Sequence, residues 1–215
     1  MADRHLQKLS IFIALGTAAL IVAAVFFLLL PSRSEQDFSA QQAEKLVAEL
    51  TPQFREGDLV FRRGRGFWSE TFSDRAGSNL SHVGVLVREQ RGWSVVHAEA
   101  DDLSLIGGVK STPLAEFLTG TVLRYIRRVQ MSEESREKFV RDIRRHLSRQ
   151  TPFDTSLSLD DDAQRVYCSE LIWSAARQAG VALARPRDLL GKNYVTIDDL
   201  FFSPLLSAVV VSPAQ

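Results

Sequence analysis

One cysteine, Cys168, and two histidines fifteen residues apart, His82 and His97, are the side chains of this sequence best suited to nucleophilic chemistry. Cys168 opens the stretch Cys168-Ser169-Glu170-Leu171-Ile172, and Leu171, Ile172, Ala175, Ala176 and Ala179 recur at helical spacing up to a stop at Gly180. The spacing predicts an amphipathic helix beginning close to Tyr167, with the cysteine in its first turn. The positive end of the helix dipole favours thiolate there by about 0.3–1 kcal/mol, up to ~2 in a partly buried site. A free thiol titrates near ~8.5 and each pKa unit is worth ~1.4 kcal/mol, so the dipole alone brings the group only to about neutrality. Full activation needs a cation beside the sulfur.

Of the four histidines, His5 lies before a long apolar run and His146 sits in an arginine-rich segment expected at the surface. His82 opens the strand-like run His82–Val87 and His97 lies near the end of Trp93–Ala98, with Gln90-Arg91-Gly92 between them. That pattern reads as a hairpin, which would make the histidines neighbours in one sheet. His82 would then take the thiol proton, and its imidazolium would supply the missing cation. His97 would bond the other ring nitrogen and fix the tautomer. Tyr167 and Ser81 are expected to line the cleft. Asp58 and Glu170 are expected to serve structure, Glu170 by bonding backbone at the helix start. The competing interpretation is bland: a lone cysteine is more often a small buried hydrophobe, and a strand histidine often has only a satisfied polar tip.

The remaining chain must position these groups. Residues Leu9–Leu30 carry no charge over 22 positions, about 33 Å as a helix, which suffices to cross a hydrocarbon core. The run is too long for a signal peptide and lacks a small-x-small exit, so an uncleaved anchor is expected. Arg4 and Lys8 precede it, which keeps residues 1–8 cytoplasmic and sends the rest outside, the periplasmic face of an inner membrane. Residues 31–56 are a linker and a lead-in helix over Phe38–Leu50, and 57–211 form the globular domain. Within it, strands are expected at Asp58–Phe61, in the hairpin, at Val122–Ile126 and at Ala208–Val211. Phe67–Phe72 reads as a short helix or lid. Thr112 as N-cap and Pro113 as first residue predict a short helix to Leu118. Further helices follow over Ser132–Arg149, from Cys168, and around Asp198–Leu200. This is an α+β layout, an antiparallel sheet packed against helices. The 26 basic and 26 acidic residues balance, which argues against nucleic acid as a partner. One cysteine excludes an intramolecular disulfide and a cysteine zinc cage, and the chemistry outlined requires no metal or organic cofactor.

Gly57-Asp58-Leu59-Val60-Phe61, Ser81-His82-Val83-Gly84-Val85 and Val96-His97-Ala98 together resemble the core strands of NlpC-type papain-like cysteine hydrolases. Here Tyr167-Cys168-Ser169-Glu170-Leu171 follows those strands instead of preceding them, and that order is similar to the circularly permuted, YiiX-like branch. The Pro113–Leu118 and Ile197–Leu200 segments resemble it too. The resemblance implies a permuted papain-like domain with Cys168 as nucleophile, His82 as base and His97 as the third member. Many permuted members carry glutamate where His97 stands, and Glu99, two residues on and on the same strand face, is therefore the alternative orienting residue or a partner behind it. Joined to the expected anchor, the resemblance further implies a membrane-anchored cell-envelope hydrolase that cleaves amides, peptidoglycan peptides or N-acyl substrates, through a thiol acyl-enzyme. Permuted relatives also include lipid-directed acyltransferases and esterases. A non-catalytic envelope-binding module is the remaining alternative, disfavoured by retention of both His82 and Cys168.

Overall fold

The computed structural model describes residues 38–64, 79–101, 104–189 and 191–212. Both the Leu9–Leu30 run and the Phe67–Phe72 segment lie outside these residues. Among the described residues, no helix is long and apolar enough to cross a membrane.

Ser39 starts helix α1 (Ala40–Leu50) through a capping box: its Oγ accepts from Gln42 N–H, and Gln42 Oε1 accepts from Ser39 N–H. Strands β1 (Leu59–Arg63), β2 (His82–Glu89), β3 (Gly92–Ala100) and β4 (Gly107–Pro113) follow, then the short helix α2 (Leu114–Leu118) and β5 (Leu123–Val129). Next come α3 (Glu133–Ser148), α4 (Cys168–Gln178), the small hairpin β6 (Arg187–Leu189) and β7 (Lys192–Tyr194), α5 (Ile197–Phe201) and β8 (Leu206–Ser212). Six strands form one sheet in the order β4-β3-β2-β1-β5-β8, every neighbouring pair antiparallel. The expected α+β architecture and the His82/His97 hairpin are present. The β6–β7 pair carries no alternating apolar pattern and was not anticipated. Thr112 and Pro113 finish β4 instead of opening a helix, and α2 begins one residue later without a side-chain cap.

Strand alternation divides the core into two layers. Leu59, Phe61, Val83, Val85, Val96 and Ala98 face α3 and α4, whose Phe139, Ile143, Leu171 and Ile172 are fully buried against them. On the opposite face, Val60, Leu86, Val95 and Ile126 meet Ala43 of α1 and Leu114, Phe117 and Leu118 of α2. Four residues of α4 that the sequence marks as its apolar stripe, Leu171, Ile172, Ala175 and Ala176, are completely buried. Gly180 then ends the segment with φ of +78°, a conformation that suits glycine at a helix C-terminus. His146, expected at the surface, is instead buried on α3, its Nδ1 at 3.0 Å from Thr151 Oγ1.

Asp58 is structural, as its position at a strand start suggests. Its carboxylate accepts from Arg128 Nε and Nη2, both at 2.8 Å, and from Arg55 N–H at 2.9 Å, which ties β1 to β5. The β1–β2 ladder runs out to Arg62↔His82 and β3–β4 to Ala100↔Gly107, yet the β2–β3 ladder stops at Val85↔Val96. Gly84 lies just past that stop. A Cβ there would fall 2.4 Å from Val95 Cγ1 and 3.0 Å from His97 Cβ, so only glycine lets β3 approach so closely.

Two stability predictions follow from this packing. Asp58→Asn should lower unfolding free energy by about 1–3 kcal/mol, since it takes the charge from a buried carboxylate that accepts from Arg128 and from Arg55 N–H, whereas Glu49→Gln at the exposed Lys45–Glu49 pair should change it by less than ~0.5. Gly84→Ala should cost about 1–3 kcal/mol by overpacking. Chemical denaturation with m-values measured alongside the midpoints checks both.

Candidate active site

The polar residues of the site come from one face of the sheet. Arg62 pairs with His82 across β1–β2, and His97 pairs with Lys110 across β3–β4, so each pair projects to the same side. Alternation adds Glu99 and Thr112 to that side. This is the α2 face, where Phe117 replaces the aliphatic packing. Its ring centroid lies 5.7 Å from that of His82 and 5.0 Å from that of His97, and the Arg62 guanidinium stacks 4.2 Å above it.

A chain of hydrogen bonds runs across this layer. His82 Nε2 and His97 Nδ1 are 2.8 Å apart, and His97 Nε2 is 2.9 Å from Thr112 Oγ1. Glu99 does not join it. Its carboxylate takes Lys110 Nζ at 2.6 Å and Arg62 Nη2 at 3.2 Å, while Arg62 Nη1 donates to the Phe117 carbonyl at 2.7 Å. Of the two candidates for third member, His97 is thus the one bonded to His82, and Glu99 neutralises the neighbouring cations.

Cys168 reaches this layer from the other side of the sheet. Tyr167 is the N-cap of α4, and Glu170 Oε2 accepts its N–H at 3.3 Å, the backbone bond expected of Glu170. The Cys168 sulfur lies against the N–H groups of Val83, Ser169 and Cys168 itself. In the antiparallel alternation, Val83 N–H points away from β1 and toward β3. Because the β2–β3 ladder has already ended, that donor is available to sulfur. The thiol therefore sits at the parting of the two strands, where Arg62 and Glu99 are near enough to act on it electrostatically.

Burial is the largest single influence on each titrating group here, and at Glu99 alone the other influences together outweigh it. It pushes the Cys168 thiol up to about 11, against the pull of the three N–H groups, and Glu99 adds to the rise. Burial, then His97, Arg62 and Lys110, hold His82 well below the ordinary histidine range. His97 is lowered to about 3, by burial first, with Arg62 and Lys110 adding and Glu99 opposing. Burial works against ionisation of Glu99, but the Lys110 hydrogen bond and the Lys110 and Arg62 charges overcome it and lower its pKa. These directions favour a neutral thiol and neutral imidazoles at rest over the imidazolium–thiolate pair that the sequence suggested.

Tyr167 and Ser81 brace the site instead of lining it. Tyr167 is buried and its hydroxyl accepts from Val195 N–H at 2.9 Å, while Ser81 Oγ accepts from Gly64 N–H at 3.2 Å. Sequence reading missed Arg62, Lys110, Thr112 and Phe117. The first two could be found only by knowing the strand register, and Thr112 only by recognising β4 as a strand. One ligand from each of His82, His97 and Glu99 lies within 4.8 Å of the others, the spacing of a metal donor set. Those donors are already committed: both His97 nitrogens and both Glu99 oxygens are bonded, and two cations flank them.

Comparison with known proteins agrees with this geometry. A family model described as the permuted papain-like amidase enzyme, YaeF/YiiX, C92 family, matches residues 53–213. The crystal structure of the metalloprotein YiiX from Escherichia coli O157:H7 superposes with a TM-score of 0.63 at 26% identity, covering 74% of this chain and 98% of that one. A search of curated proteins gives no match. With three quarters of its length matched, a nucleophile helix placed after the histidine strands, and His82 bonded to His97, the chain belongs to the permuted papain-like amidase family of YaeF/YiiX enzymes.

Proposed function

We propose that this hydrolase cleaves amide bonds at the cell envelope through a Cys168 acyl-enzyme, with His82 as general base and His97 as its orienting partner. The observation that carries the reading is the His82–His97 bond beside a sulfur that rests on the N–H of Val83, the next residue after His82. His97 occupies His82 Nε2, so Nδ1 is left to take the thiol proton. Nδ1 is also the ring nitrogen nearest the backbone on which the sulfur rests.

Since both partners start neutral, proton transfer accompanies attack instead of preceding it. The thiol proton passes to His82 Nδ1 as sulfur bonds the amide carbon, and the carbonyl electrons move onto oxygen. N–H groups at the start of α4, that of Cys168 among them, are the candidate oxyanion donors. Collapse of the adduct expels the amine, which leaves with the proton from His82. Water then attacks the thioester by the same route, giving the acid and free thiol.

The Leu9–Leu30 run supports a single-pass inner-membrane anchor with the domain outside, where peptide stems of peptidoglycan and N-acyl substrates are at hand. A lipid-directed acyl transfer or esterase activity is the second reading, favoured by the same tether. The YiiX structure is described as that of a metalloprotein. In this chain, an ion at His82, His97 and Glu99 would have to displace Lys110 and Arg62 from the carboxylate and break the bond between the histidines. The donor set does not fit a resident metal.

The activity test is digestion of purified sacculi and of phospholipid vesicles by the full chain in detergent, with Cys168→Ala and His82→Ala alongside. Amide products from sacculi, lost at least ~10³-fold in either variant, are expected. Fatty acid release from vesicles alone would favour the second reading, and no thiol-dependent product from either would defeat both. The protonation state has its own measurement. Because burial pushes the thiol up to about 11, the ultraviolet thiolate absorbance of Cys168, read as wild type minus Cys168→Ala, should be absent at pH 7 and grow in only as the pH approaches about 11. Thiolate absorbance already present at pH 7 would mean a preformed ion pair and contradict the neutral site.

A further inference from the structure

We infer that Thr112 is a positioning residue for the reaction, the acceptor that fixes the order of protons through His97 and so keeps His82 Nδ1 bare. This rests on the base role assigned to His82 above. The argument follows the protons along the chain His82 Nε2···His97 Nδ1 at 2.8 Å and His97 Nε2···Thr112 Oγ1 at 2.9 Å. A neutral imidazole carries one N–H. If His82 is to accept at Nδ1, its hydrogen must be on Nε2 and be donated to His97 Nδ1. His97 then carries its own hydrogen on Nε2, which is buried and needs an acceptor; among the described residues, Thr112 Oγ1 is the one bonded there.

The reverse order is also a closed set of bonds: Thr112 O–H to His97 Nε2, and His97 Nδ1–H to His82 Nε2. It places the hydrogen of His82 on Nδ1, where it blocks the base. During attack no choice remains. Once His82 holds the thiol proton, both of its nitrogens are donors, His97 Nδ1 must accept, and His97 Nε2–H must be received by Thr112. The hydroxyl is thus required at the moment positive charge appears on His82. A valine of the same shape would leave a buried N–H unpaired in that state alone, while the reverse order would leave only an unpaired acceptor. Thr112→Val should therefore shift the pair toward the blocked tautomer and slow proton removal from Cys168.

The experiment is nitrogen-15 NMR of ring-labelled histidine in the full chain, for wild type, Thr112→Val and Thr112→Ser, together with iodoacetamide alkylation of Cys168 at pH 7. Wild type and Thr112→Ser should show His82 and His97 protonated at Nε2. In Thr112→Val that signature should be lost or shared with Nδ1–H, and alkylation should slow on the order of tenfold, with the melting transition still cooperative. Unchanged tautomers in a folded Thr112→Val would overturn the inference, and so would Thr112→Ser behaving like Thr112→Val, since packing would then be the cause. Neither readout needs a substrate. Failure of the chain to hydrolyse sacculi or lipid would count against the proposed function while leaving this test intact.

Discussion

The parting of β2 from β3 beyond Val85↔Val96 is the constraint on which the site depends. Were the ladder to continue, Val83 N–H would be spent on the β3 backbone, and a closed sheet would separate the α4 face from the α2 face. Cys168 belongs to the first face and the histidines to the second. Only at a gap between strands can a sulfur from one layer approach the polar groups of the other. The gap leaves β3 well supported, because β4 continues to pair with it as far as Ala100↔Gly107. The sulfur in turn supplies an acceptor for the donor that the lost pairing would have left unsatisfied. Opening the sheet therefore costs few unmade bonds.

The same enclosure explains why the site rests neutral. A helix N-terminus and three N–H groups favour thiolate, but these partial charges act over a turn, whereas desolvation acts on the full charge. Burial prevails at Cys168 and again at His82 and His97, where Arg62 and Lys110 add repulsion against any imidazolium. Glu99 holds that repulsion in check. It bonds both cations, and with its charge removed two positive groups would stand uncompensated against the histidine pair. An acid two residues along the strand from His97 is thus poorly placed to replace it and well placed to protect it.

Much of this was legible in the chain. Periodicity located α4, its stop at Gly180 and the stripe that is buried, and the hairpin followed from two apolar runs around Arg91-Gly92. His82 and His97 could be matched to Cys168 because chemistry limits the partners of a nucleophilic thiol. The ionisation state was not legible, since burial is a property of the assembled layers and no motif encodes it. Arg62 lay equally beyond reach. It ends a strand as one more charged residue until the Arg62↔His82 register places it beside the base. The apolar alternation that identifies strands also fails at β4, where Lys110 and Thr112 are polar because that face of the strand serves the site, while Ser111 on the other face bonds Glu89.

Thr112-Pro113 shows how a local signal can be nearly right and still hide a function. The dipeptide reads as N-cap and first helical turn, and a helix does begin there. Proline, however, holds an extended backbone at the end of β4, and α2 starts at Leu114. The shift of one residue removes Thr112 from capping duty and leaves its hydroxyl for His97. It also turns the five-residue α2 so that Phe117 lies against both imidazoles and its carbonyl accepts from Arg62. So short a helix has little stability of its own. Its ring, carbonyl and preceding hydroxyl are held by the residues they organise, which makes α2 and the histidine layer one cooperative unit.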